Sequence, residues 1–233
     1  MEYAVFDIES TGLSKKENEV IELSIFIVND NGEEIEQRFH SYFKPLVPME
    51  EDNKAMAIHG ITNDFLEDKP FFREKAEEIK KYFKNRTPVA YCGKTFDFGF
   101  LLSEFERNGI IFQYDREPYD PKTLVNQLFK QLTNKKLSTV AEHLKIPIGQ
   151  LHSAADDNEL LKFILYKIYF KIDLNKNKEF IEYVRKCKKL TKEKNINNYY
   201  EAEIDWGKFE NFSKDYNIYF ELYDYKNNIK KEL

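Results

Sequence analysis

Asp7 and Glu9 stand two residues apart at the end of the first apolar run, residues 3–8. Side chains at that spacing on a strand point to one face, so the two carboxylates converge while Ile8 points the other way. Like charges held together at a strand end repel each other, and neither has an evident structural use. A cation bridging them removes the repulsion, and a ligand set made only of oxygens favours magnesium or manganese. The D-x-E tripeptide is short, so its chemistry depends on further groups brought to it from elsewhere in the chain.

The elements that must do this follow from periodicity. Residues 3–8 read as a buried strand, and residues 20–28, rich in isoleucine and valine, as a second. The Asn31-Gly32 pair after it is a hairpin-turn signal. Residues 33–43 then alternate, with Ile35, Phe39 and Phe43 at even spacing, which predicts a third, half-exposed strand. Ala76, Ile79 and Phe83 shift the period to that of a helix over residues 72–83. Residues 87–91 form another short strand, and residues 96–107 a helix carrying Phe100, Leu101 and Phe105. Tyr119 and Asp120 begin a further strand-to-helix step, with Pro121 suited to a helix start. A short helix over 137–144 ends before Pro147, and Ser153 is placed to cap a helix from Ala154 to about Tyr169. Three antiparallel strands followed by two parallel ones, with helices between, predict a mixed α/β sheet flanked by helices.

Composition bounds the rest. The chain has 233 residues, with 36 Lys and Arg against 41 Asp and Glu and a formal net charge of −5. Hydrophobic residues at 42% and charged residues at 33% fit a globular protein and exclude a mainly disordered one. No run approaches the roughly 18–20 apolar residues of a membrane span. The start lacks the pattern of a secretory signal, and Cys92 and Cys187 are too few for a disulfide scaffold or a cysteine zinc site. Together these predict a cytoplasmic protein. The acidic balance argues against gripping nucleic acid by bulk positive charge. After residue 170 the chain is loaded with lysine, asparagine and tyrosine. This tail has a locally basic segment at residues 185–194, a candidate helix over 180–190 and a candidate strand over 219–225.

Four strings extend the opening pair. FDIESTGL, holding Asp7 and Glu9, resembles the first motif of the DnaQ-like 3'-5' exonucleases, the DEDDh group of the ribonuclease H-like fold. AIHGIT (57–62) is similar to that family's nucleotide-contacting loop. VAYCGKTFDFGFL (89–101) resembles its second motif and puts Asp97 third among the carboxylates. LHSAADDNELL (151–161) resembles its third motif, H-x-A-x-x-D, with His152 and Asp157 in the paired positions. The resemblance covers roughly residues 2–168, with every motif in family order.

It implies a ribonuclease H-like domain over residues 1–170 that trims 3' ends, single-stranded DNA favoured, releasing nucleoside 5'-monophosphates. RNA trimming is the alternative. By the same implication Asp7, Glu9, Asp97 and Asp157 hold two divalent cations, Mg2+ or Mn2+, about 3.5–4 Å apart. His152 serves as general base, a task suited to the one side chain that ordinarily titrates between about pH 5 and 8. Thr11, Gly12 and Leu13 contact the terminal nucleotide, Leu13 as an apolar wedge, with Ile58 and His59 on the other side and Phe96 beside Asp97. In replicative proofreading subunits of this family a region after the nuclease docks on the polymerase, so residues 171–233 are a candidate docking extension.

Each of these residues also has an ordinary reading. Asp97 and Asp157 near helix starts suit capping or the helix dipole. Gly12 and Gly60 suit turns needing backbone freedom, and Phe65, Phe71 and Phe72 suit core packing as well as base stacking. There are departures from the family pattern. Cys92 stands where asparagine is common, Ser153 where arginine is common, and Asp156 adds a carboxylate beside Asp157, about 100° around the helix and toward solvent.

Overall fold

The computed structural model describes residues 1–50, 53–149, 151–172, 174 and 177–193. Strands β1 (Glu2–Ser10), β2 (Val20–Asn29) and β3 (Phe39–Tyr42) form an antiparallel meander. Strand β4 (Thr87–Val89) joins β1 in parallel, giving the order β3-β2-β1-β4. The hairpin turn falls at Asn31-Gly32, where Gly32 takes a φ of 75° and the N–H of Asn29 donates to the carbonyl of Glu33.

Period-2 alternation divides the sheet into two chemically different faces. On one, Ala4, Phe6 and Ile8 of β1 join Leu23, Ile25 and Ile27 of β2 in the main apolar core. That core is closed by α3 (Phe72–Phe83) and α4 (Asp97–Arg107), through Phe72, Ile79, Phe83, Phe100 and Phe105. Each such side chain, fully buried, is worth about 1.5–3 kcal/mol. On the other face Asp7 lies opposite Ser24 and Glu9 opposite Glu22, and α7 (Ala154–Leu165) packs across β1 and β2 there. Lys162 of α7 is wholly buried and neutralised by Glu34 at 2.9 Å and Glu159 at 2.7 Å.

Two sequence expectations are corrected. The third strand is shorter than the alternation over 33–43 predicted: Glu34 makes only an isolated bridge to Val28, and Ile35 is exposed. Glu34 and Arg38 are committed to an ion-pair network with Glu159 and Lys162, which takes this stretch away from the ladder. The second parallel strand shrinks to a single bridge between Val89 and Tyr119. Pro88, Pro118 and Pro121 each lack an N–H, so the ladder cannot extend.

Short helices complete the frame: α1 (Lys54–His59), α2 (Asn63–Leu66), α5 (Lys122–Leu128) and α6 (Leu137–His143). Helix α7 continues as one turn of π-helix over Tyr166–Phe170, close to the predicted end. The chain divides into two compact units, Met1–Lys171 and Ile172–Leu233. In the second, α8 (Lys178–Glu193) begins where Asn177 Oδ1 accepts the N–H of Phe180. The candidate strand over 219–225 lies outside the described residues. Among the described residues no helix is long and apolar enough to cross a membrane.

Candidate active site

Asp7 and Glu9 project side by side from β1, immediately before a bulge at which Ser10 pairs with Val20 while Glu9 pairs with Glu22. Such bulges re-aim side chains at the ends of ladders. Asp157 reaches the same point from the first turn of α7. One carboxylate oxygen from each of Asp7, Glu9 and Asp157 lies within 4.8 Å of the others. Asp97, the first residue of α4, is 3% exposed and close enough for its charge to act on Asp7. The backbone N–H groups of Asp97 itself and of Ile8 favour its charged form.

The electrostatics of this group are adverse in every member. Burial, and then the charges of Asp97, Asp157 and Glu9, push the Asp7 carboxyl well above its ordinary range. Burial and the Asp157 charge push Glu9 up to about 8. Burial raises Asp97 to about 7 against the two backbone N–H groups, and raises Asp157 to about 7 against the N–H of His152. Asp157 Oδ1 is buried and has no hydrogen-bond partner. Mutually repelling carboxylates with one orphaned oxygen are what a hard divalent cation satisfies, so the donor set fits such an ion.

His152 occupies the turn before α7 with a φ of 67°, its side chain exposed and its N–H donating to Asp157 Oδ2 at 3.3 Å. His59 faces it closely enough for the two charges to interact. The Nδ1 of His59 accepts the N–H of Ile61 at 3.0 Å, which places the ring proton on Nε2, a buried atom toward the carbonyl of Ser10. Burial holds the His59 imidazole below its usual range.

The loop after β1 is held from several sides. The backbone of Thr11 donates to the carbonyl of Glu19, and its hydroxyl accepts the N–H of Glu19 at 3.0 Å. Asn53, the cap of α1, donates to the carbonyl of Thr11 at 2.9 Å and so ties α1 to the loop. Thr11 is therefore a buried anchor. Leu13 at 85% exposure and Ile58 at 59% are left standing in solvent. Gly60 ends α1 with a φ of 73°, as its turn reading required. Gly12 has no positive φ; a Cβ there would fall 2.7 Å from Asn18 Oδ1, so close approach explains this glycine. Phe96 is partly buried on the core against Phe100, Phe72 is core, and Phe65 and Phe71 are exposed.

The departures have physical counterparts. Cys92 takes a φ of 61°, a region in which asparagine is the easier non-glycine residue. Its strained turn is braced by buried Asp120, which accepts the N–H groups of Cys92, Lys94 and Lys122, while Lys122 Nζ donates to Cys92 Sγ at 3.1 Å. Ser153 occupies the cap position of α7 but makes no side-chain cap bond. Asp156 is half-buried near Tyr42 instead of facing solvent.

Three residues that support the site escaped the sequence reading: Asp120, Asn158 and Glu22. Asn158 donates to the carbonyls of Val5 and Ser24 and to Ser24 Oγ, bolting the residue after Asp157 to both central strands. Glu22 carried a readable signal, as the one charge within the apolar run over 20–28.

Comparison with known proteins follows the same lines. Residues 4–165 match the family model RNase_T, described as exonuclease. The chain is 33% identical over 166 residues to the DNA polymerase III PolC-type of Bacillus cereus, covering 71% of this chain and 11% of that protein. It is 29% identical over 171 residues to the 3'-5' exonuclease DinG of Staphylococcus haemolyticus, covering 73% of this chain and 18% of that protein. The chain thus spans under a fifth of the length of these relatives. Among solved structures, E. coli Exonuclease I in complex with a dA16 oligonucleotide aligns with a TM-score of 0.63 at 16% identity, covering 78% of this chain and 45% of that one. The nuclease domain of 3'hExo, a DEDDh family member bound to rAMP, aligns with a TM-score of 0.59 at 17% identity, covering 71% and 90%. At these identities the likeness is one of fold.

Proposed function

Because the chain belongs to the RNase_T exonuclease family, we propose that it hydrolyses phosphodiester bonds at the 3' ends of DNA, single strands favoured, releasing nucleoside 5'-monophosphates. The observation that carries this reading is the convergence of Asp7, Glu9 and Asp157 beside buried Asp97, with Asp157 Oδ1 left without a partner. Asp7, Glu9, Asp97 and Asp157 would hold two divalent cations, Mg2+ or Mn2+, which when bound lower the pKa of water and neutralise charge on the departing oxygen.

The chain's own residues do the rest. His152, on an exposed turn tied to Asp157 through its N–H, takes the proton of the attacking water. His59, its Nδ1 held by the N–H of Ile61 and its Nε2 buried toward Ser10, fixes the turn after α1 from which Ile58 projects. Leu13 and Ile58 supply apolar surface on which the base of the terminal nucleotide rests, from a loop and a helix linked through Asn53. Residues 1–170 form the nuclease, and residues 171–233 dock on a partner such as a polymerase. The PolC-type relatives support association with a polymerase in general, and the docking role of residues 171–233 rests on the family resemblance alone.

The choice of DNA over RNA is tested with matched 5'-labelled DNA and RNA oligomers, incubated with the purified protein and Mg2+. Faster stepwise shortening of the DNA is expected. Equal or faster shortening of the RNA overturns the DNA assignment while leaving the chemistry intact.

A further inference from the structure

Glu22 is 0% exposed and sits on β2 directly opposite Glu9, among the charges of Asp7, Glu9 and Asp157. Burying a carboxylate beside others is costly unless it is fully hydrogen-bonded. Glu22 is: His40 Nε2 lies 2.8 Å from Oε1, the Ser153 hydroxyl donates to Oε1 at 3.2 Å, and the N–H of Ala154 donates to Oε2 at 3.0 Å. These bonds outweigh its burial and hold its carboxyl below the ordinary range. Both oxygens are committed to these donors, and the carboxylate group able to hold a cation is that of Asp7, Glu9 and Asp157, without Glu22.

Two of those donors belong to the start of α7. Ala154 is its first residue, and Ser153, in the cap position, turns its hydroxyl to Glu22 instead of capping the helix itself. A strand carboxylate thus supplies from outside what a cap residue normally supplies locally, together with a full negative charge at the N-terminus of a 12-residue helix. Asp157 lies one turn further on, and its own side chain holds the N–H of His152.

We infer that Glu22 is a positioning residue of the divalent-cation site: it pins the first turn of α7 to β2, and thereby sets Asp157 and His152 in register with Glu9 and Asp7. This inference rests on the exonuclease reading for its activity arm and stands apart from it in its metal-binding arm.

The test compares wild-type protein with Glu22→Gln, which keeps one acceptor oxygen and loses the charge, and with Glu22→Ala. Mn2+ binding is measured by calorimetry without substrate, and kcat and KM on a 5'-labelled single strand are measured well below each protein's Tm. Outer partners of metal ligands typically matter by about 10- to 100-fold in affinity or activity. Glu22→Ala is expected to lose that much in Mn2+ affinity and kcat, Glu22→Gln less, with KM for DNA little changed. If either variant fails to fold, Ser153→Ala, which removes one donor and leaves the carboxylate in place, is expected to fold with a modestly lower Tm and to weaken Mn2+ binding by about 2- to 5-fold at a temperature well below it. Wild-type Mn2+ affinity and kcat in a folded Glu22→Ala protein, or in Ser153→Ala where that is the protein measured, overturn the inference. If the wild-type protein leaves the oligomer uncut, the exonuclease reading fails and the calorimetry alone decides the role of Glu22.

Discussion

Burial of Asp7, Glu9, Asp97 and Asp157, and after it the negative charges around them, is the dominant residue-scale force in the site, and its sign can be followed through pH. Glu9 near 8, and Asp97 and Asp157 near 7, lie above their unfolded values, so the folded metal-free protein keeps protons that the unfolded chain has released. Their contribution to stability is full below about pH 4 and is lost as pH rises through 7 and 8. His59 and His143, held low by burial, contribute the opposite slope below the ordinary imidazole pKa, so the window from pH 7 to 9 isolates the carboxylates. In chelator, Tm is expected to fall across that window, and Mg2+ is expected to flatten the curve. A flat profile in chelator contradicts the account. By the same logic Asp157→Asn should raise the Tm of the metal-free protein at pH 8, by about 2–4 °C for each kcal/mol of repulsion relieved, while abolishing trimming. Asp7, Glu9, Asp97, His152 and Asp157 could be picked out because side-chain identity and motif spacing carry them, and the fold brings the carboxylates of Asp7, Glu9 and Asp157 together. Asp120 and Asn158 could not be picked out, since their work is to receive or donate bonds to backbone that is distant in sequence.

At the scale of elements, α7 matters most because it delivers Asp157 to the strand carrying Asp7 and Glu9. Its seat is built from Glu22, Asn158 and the buried Lys162 network. Asn158→Ala leaves the Val5 and Ser24 carbonyls without this donor and is expected to cost about 1–3 kcal/mol, read as a lower urea midpoint at unchanged slope. A midpoint equal to wild type would mean that the helix is seated by apolar packing alone. Helices α3 and α4 matched their predicted spans to within a residue, because amphipathic periodicity over 11 or 12 residues leaves little choice. The third strand and the second parallel strand were overestimated, since alternation shows which face a residue prefers but not where charge networks or prolines interrupt a ladder. Ser153 stands at the cap of α7 as read, but its hydroxyl goes to Glu22 on β2, which also accepts the N–H of Ala154, a partner that local sequence does not show.

For the whole molecule, the net charge of −5 first argued against nucleic acid, and the fold explains how the two are reconciled. The negative charge includes a cluster of carboxylates gathered at one point, where divalent cations invert the local field. Without them the site repels phosphate. Fluorescence anisotropy of a labelled single strand should therefore show binding in Ca2+, which has the same oxygen preference, and little in chelator. Equal binding in both would place the affinity elsewhere, in the basic segment over 185–194 for example. The tail was legible in sequence only as a change of composition after residue 170.

The central claim is that these four carboxylates and His152 form a metal-dependent site that removes nucleotides from a 3' end. Its most direct test is a single strand carrying a radiolabelled 3'-terminal nucleotide, incubated with wild-type and Asp7→Ala proteins in Mg2+ and in chelator. The account predicts immediate release of labelled nucleoside 5'-monophosphate by the wild-type protein in Mg2+ and in no other condition. Release of the label in longer fragments, or equal release by Asp7→Ala, would contradict it.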